Sequence, residues 1–78
     1  MDTLERIREI IADITQNPIE LIKETSSSRS VDGWDAMAQI NIMVTIEMDF
    51  GTSFSEEETK SLNSVRKIMH AMRDQVAA

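Results

Sequence analysis

Few residues in this chain are of types that do chemistry. There is one histidine, His70, and no cysteine. Nucleophilic catalysis needs a hydroxyl or thiol with a base in hydrogen-bond reach, and no Ser-His-Asp, thiolate or metal-ligand arrangement can be built from this set. His70 falls off the apolar stripe of its segment and reads as a surface residue. Asp49 to Lys60 has the length of a calcium loop. Gly51, however, falls at its third position instead of the sixth, and Lys60 stands twelfth, where a bidentate Glu is required. No glycine-rich phosphate loop is present. Ser26, Ser27, Ser28, Ser30, Ser53, Ser55, Ser61 and Ser64 read as loop and cap residues. The stretch with the most to say is Val31-Asp32-Gly33-Trp34-Asp35-Ala36-Met37. There Asp35 is a good N-cap for the apolar run that follows, and Ala36, next to it, offers only a methyl group.

Seventy-eight residues make one domain, 1–78, with one small core. Apolar content of 41% is ordinary for a globular chain. Without cysteine, stability must come from packing, which leaves a margin of only about a few kcal/mol in a core this small. No apolar run approaches the ~20 residues of a membrane span. Met1-Asp2-Thr3-Leu4-Glu5-Arg6 lacks the basic-then-apolar order of a secretory signal. A cytoplasmic location is the expectation, with no membrane partner.

The net charge of −6 argues against a nucleic-acid backbone as partner. Its distribution says more. Residues 35–58 carry Asp35, Glu47, Asp49, Glu56, Glu57 and Glu58, and neither Lys nor Arg. Residues 59–78 carry Lys60, Arg66, Lys67 and Arg73 against Asp74. The acidic middle reads plainly as a solvated face, and more sharply as a surface steered toward basic patches on partner proteins.

Four helices are predicted to carry these residues. The first runs from Thr3 to Ile14, with Leu4, Ile7, Ile11 and Ile14 on one stripe, Asp2 or Thr3 as cap, and Asn17-Pro18 as its end. Residues 16–34 form a long connection, anchored by Ile19, Leu21 and Ile22, with Thr25-Ser26-Ser27-Ser28 polar and mobile. The second helix starts at Asp35 and continues to Asp49. Met37, Ile40, Val44 and Met48 form one of its faces; Ile42, Met43, Ile46 and the following Phe50 form another. A helix apolar most of the way round is central to the fold or used for partners. Gly51 ends it. Ser55 and Glu58 form a capping box for a third, short helix, Glu56 to Ser61. Asn63 or Ser64 caps the fourth, whose stripe is Leu62, Val65, Met69, Met72 and Val76 with Ile68 at its edge. Arg66, Lys67, His70 and Arg73 lie outside. Trp34 is expected half-buried, packing the connection on the second helix.

Several landmarks in this order resemble the acyl carrier and peptidyl carrier protein family. Asp35-Ala36-Met37 opens the second helix where that family has Asp-Ser-Leu or Asp-Ser-Met. Phe50 stands where the family ends this helix in Glu-Glu-Phe. Phe54-Ser55-Glu56-Glu57-Glu58 is similar to its apolar-Pro-Asp-Glu-Glu segment, and Leu62-Asn63-Ser64-Val65 to its Ile-Thr-Thr-Val. The likeness covers most of the chain from residue 31 on, and the first helix is compatible with it.

The resemblance implies an all-α, four-helix acyl-carrier-like bundle. It implies a discrete carrier that tethers thioester intermediates on a 4′-phosphopantetheine arm, a substrate of other enzymes and not itself an enzyme. In the family a transferase binds coenzyme A and Mg²⁺, and a serine hydroxyl attacks the β-phosphorus. Ala36 occupies that position, so the arm cannot attach to this sequence there. Trp34, Asp35 and Met37 become flanking recognition residues. Asp35 is a contact to the transferase's metal or simply the cap. Ile40, Asn41, Met43, Glu47, Glu56 and Glu57 become the partner-binding set. The implied partners are a phosphopantetheinyl transferase for a serine form, an acyl- or aminoacyl-loading enzyme, and a downstream transferase or synthase; a monomer is expected. Met37, Met43, Met48, Met69 and Met72 read as gap-filling core, with an acyl cavity between the second and fourth helices as the alternative.

Two departures bear on the pathway. Ser55 replaces the family's Pro. Ala38, Gln39 and Asn41 stand where fatty-acid carriers often have acids, while Gly33-Trp34-Asp35 looks more like carriers of polyketide, peptide or cell-surface sugar assembly. Two origins of Ala36 stay open: an introduced Ser→Ala change, which the intact surroundings favour, or a natural carrier-fold interaction module that is never loaded. A generic helical bundle would leave the landmarks unexplained.

Overall fold

A computed structural model describes residues 2–77, with side chains through Arg73. Among the described residues there are four helices: α1 (Thr3–Thr15), α2 (Ala36–Phe50), α3 (Glu56–Ser61) and α4 (Val65–Ala77). A single 3-10 turn, Ile19–Leu21, interrupts the connection between α1 and α2. This is the expected all-α four-helix bundle, and its helix ends follow from local chemistry. Asp2 accepts the Glu5 amide at 2.7 Å and opens α1. α1 runs to Thr15, one residue beyond the expected Ile14, and Gln16, in the left-handed conformation at φ 60°, closes it ahead of the expected Asn17-Pro18. Gly51 closes α2 at φ 67°, a conformation glycine adopts at little cost. The Ser55–Glu58 capping box forms in both directions, at 3.1 and 2.9 Å. Of the two candidate caps for α4, Ser64 accepts the Lys67 amide at 3.1 Å.

α1 packs against both α2 and α4, and α2 also meets α3. The core joins Ile7, Ile10 and Ile11 of α1, Ile42, Met43 and Ile46 of α2, and Val65, Ile68 and Met72 of α4, with Ile22, Val31 and Trp34 from the connection. Burying each large aliphatic side chain contributes about 1.5–3 kcal/mol before chain entropy is set against it.

Several expectations need correction. Ile10 joins Ile7 and Ile11 in the core, while Leu4 and Ile14 are only partly buried. Ile68, expected at the edge of the α4 stripe, is fully buried, and Met69 is the residue at the edge. Val76 lies outside the described side chains. Met37 and Met48 are on the surface, so the set of five divides: Met43 and Met72 are buried and Met69 is partly buried. Trp34 is buried, not half-buried. In the connection, Ile22 is an anchor but Leu21 is exposed.

The polar Thr25–Ser28 segment is tied down. Ser26 is buried: its hydroxyl accepts the Lys23 amide at 2.8 Å and its carbonyl accepts the Val65 amide at 3.0 Å. Ser27 bridges to Ser64, and Asn63 accepts the Ser28 amide at 3.0 Å. Arg8 donates to the carbonyls of Ile19 and Ile22, satisfying the 3-10 turn from α1. The long connection is thus stapled to α1 and to the start of α4.

Candidate functional site

The start of α2 is held from three sides. Asn17 donates to the Asp32 carbonyl at 2.8 Å, pinning the approach to the end of α1. Gly33 turns at φ 84° so close to α1 that a Cβ there would meet the Thr15 carbonyl oxygen at 3.0 Å. Trp34 is buried, and its indole N–H donates to Gln39 Oε1 at 2.7 Å. Asp35 then caps α2, accepting the Ala38 amide at 2.9 Å. Ala36, the first residue of the helix, is exposed at the positive end of its dipole. Met37 beside it is 72% exposed.

A cleft of about 400 Å³ opens next to Ala36, between the first turn of α2 and the far end of α3. Trp34, Asp35, Gln39 and Ile40 line one wall, and Thr59 and Asn63 the other. Gln39 is buried in this wall, and its amide nitrogen donates to the carbonyls of Thr59 (3.0 Å) and Leu62 (2.8 Å). In the sequence Gln39 stands out only as a departure from an acidic pattern. Its one local signal was a polar residue between Ala38 and Ile40, and its partners lie about twenty residues away.

Along α2, Met37, Ile40, Val44 and Met48 form a continuous exposed apolar face. Exposed apolar surface organised in one stripe marks an interaction site more than scattered single residues do. Asn41 is exposed beside it. Met43 does not belong to this face: it is wholly buried, so it has no surface to offer a partner. Glu47 is partly covered, and its carboxylate accepts the Phe54 amide at 2.8 Å, so it anchors the loop into α3. Glu56 and Glu57 are exposed on α3, with Glu56 3.6 Å from Lys60. Asp49 is gripped by Arg6 at 2.9 and 3.0 Å, and those hydrogen bonds hold its carboxyl below the ordinary value while raising the guanidinium. His70 is exposed on α4. Among the described residues no group of three or more His, Cys, Asp or Glu is placed to hold a metal ion, and no helix is long and apolar enough to cross a membrane.

The architecture is that of a small helical module presenting one capped helix start beside an apolar face. The chain is 32% identical, over 66 residues, to acyl carrier protein 3 of Ralstonia nicotianae, covering 85% of this chain and 76% of that one. It is 24% identical over 78 residues to an acyl carrier protein of Thermosynechococcus vestitus, covering 99% of this chain and 95% of the relative. No family model matches the chain. The chain belongs to the acyl carrier protein family. It is a carrier protein, not an enzyme.

Proposed function

We propose that residues 1–78 form one carrier domain that presents thioester-bound acyl or aminoacyl groups to partner enzymes, with position 36 as the attachment point, here in a form that cannot be loaded. The observation that carries this is the setting of Ala36: exposed, first in α2, capped by Asp35 and beside the cleft. A 4′-phosphopantetheine arm attaches through a serine oxygen. The space and the helix end suit that group, but Ala36 has no oxygen, so the residues present do not fit it. The intact surroundings favour an introduced Ser→Ala change. A natural module that is never pantetheinylated is the alternative, and a serine at position 36 in the source gene would eliminate it.

The partner face consists of Asp35 and Met37 at the attachment point, with Trp34 packed behind them, Ile40 and Asn41 along α2, and Glu47, Glu56 and Glu57 on its acidic side. Burial removes Met43 from this set and limits Trp34 to shaping the surface. The exposed Met37–Met48 stripe, without a base between residues 35 and 58, fits a partner with an apolar centre and a basic rim. Such partners are a phosphopantetheinyl transferase for the serine form, a loading enzyme and a downstream synthase. An apolar stripe in place of an acidic helix points to a specialised polyketide, peptide or cell-surface pathway in the cytoplasm. Titrating a broad-specificity phosphopantetheinyl transferase into the isotope-labelled chain tests the face. The amides of residues 35–41 should shift, and shifts confined to the outer faces of α1 and α4 would contradict it.

A further inference from the structure

α3 buries no residue of its own, and all six of its residues are described. An isolated helix this short does not persist in water, so its place depends on what holds its ends. Phe54 and Leu62, which flank it, pack partly on the core. The N-terminal end is tied through Glu47 to the Phe54 amide. At the C-terminal end Leu62 packs on the core and the Asn63 carbonyl, just beyond the helix, accepts the Ser28 amide. Gln39 grips the helix end itself, its two amide hydrogens reaching the carbonyls of Thr59 and Leu62. The Thr59 carbonyl is one of the last four of the helix, which have no partner within it. Gln39 Oε1 accepts the Trp34 indole N–H, so its buried amide is hydrogen-bonded at both ends.

We propose that Gln39 is a latch: its amide holds the end of α3 against α2 and Trp34, and its release lets α3 swing out and opens the cleft beside Ala36. Thr59 and Lys60 on α3, with Asn63 just beyond it, form one wall of that cleft and the first turn of α2 forms the other, so movement of α3 widens it. Trp34 belongs to the same relay and immediately precedes Asp35. The latch therefore couples the width of the cleft to the loop that positions residue 36. This conformational device goes beyond the carrier reading and stands whether or not position 36 is ever loaded.

Amide hydrogen exchange tests it, because the Thr59 and Leu62 amides close α3 while the Ile42 and Ile46 amides report the core. Gln39→Met removes all three hydrogen bonds at similar volume. Exchange at Thr59 and Leu62 should rise roughly tenfold relative to Ile42 and Ile46, as two lost hydrogen bonds imply. Trp34, the only tryptophan, should become more open to acrylamide quenching while the chain stays folded. Equal changes in α3 and the core, or none in α3, would overturn the latch. If Gln39→Met does not fold, the unaltered chain decides. In sub-denaturing urea its α3 amides should exchange through an opening with little urea dependence. A urea dependence equal to that of the core amides would overturn it.

Discussion

Asp35 accepts the Ala38 amide at 2.9 Å, closing the first turn of α2 while Ala36, next to the cap, stays on the surface. The carboxylate satisfies an amide that the helix itself cannot. Asp35→Ala should lower stability by about 1 kcal/mol, and Asp35→Asn should retain most of it. Urea midpoints of the two variants check this; equal losses would show that the cap is not what Asp35 contributes.

Gly33 approaches α1 closely enough that any side chain meets the Thr15 carbonyl, and its φ of 84° disfavours side chains in any case. Gly33→Ala should cost more than about 1 kcal/mol in thermal or urea unfolding. Because this turn delivers Trp34 and Asp35, the indole emission should change in the folded variant as well. The same substitution at Gly51 meets nothing within 4 Å, leaving only the backbone strain.

The paired hydrogen bonds from Arg6 hold the Asp49 carboxyl below its ordinary value of 3.8. A depressed carboxylate adds stability above its unfolded pKa, and that contribution is lost as pH falls through the folded value. The pair is substantially exposed, so the effect is small and screened by salt. Asp49→Asn should therefore be slightly less stable than the parent near neutrality, and the difference should vanish in acid. Paired urea titrations at the two pH values measure it.

The two apolar faces of α2 should respond differently to substitution. Ile46→Ala, in the core, should cost about 2–5 kcal/mol. Met48→Gln, at 81% exposure, should stay within about 0.5 kcal/mol. Circular-dichroism melts distinguish the two, and a large loss from Met48→Gln would mean that this face is covered.

Much of this arrangement was legible locally. Asp2, Asp35, Ser55 and Gly51 act within four residues of themselves, so their roles could be read from neighbouring letters. Periodicity located α2 but could not say which of its two stripes faces inward: Ile42, Met43 and Ile46 do, which took Met43 out of the expected partner face. Thr25–Ser28 looked mobile because its letters are polar, yet its hydrogen bonds run to residues 63–65. Gln39 was opaque for the same reason. A buried amide is defined by distant partners, here Trp34, Thr59 and Leu62, and no period marks it.

On the proposed function, a methyl group at position 36 is all that separates this chain from a loadable carrier. Intact-mass measurement tests it most directly, after incubating the chain and its Ala36→Ser variant with coenzyme A, Mg²⁺ and a broad-specificity phosphopantetheinyl transferase. One added phosphopantetheine on the variant and none on the parent is the predicted result. An unmodified variant, or an arm on the parent, would contradict it.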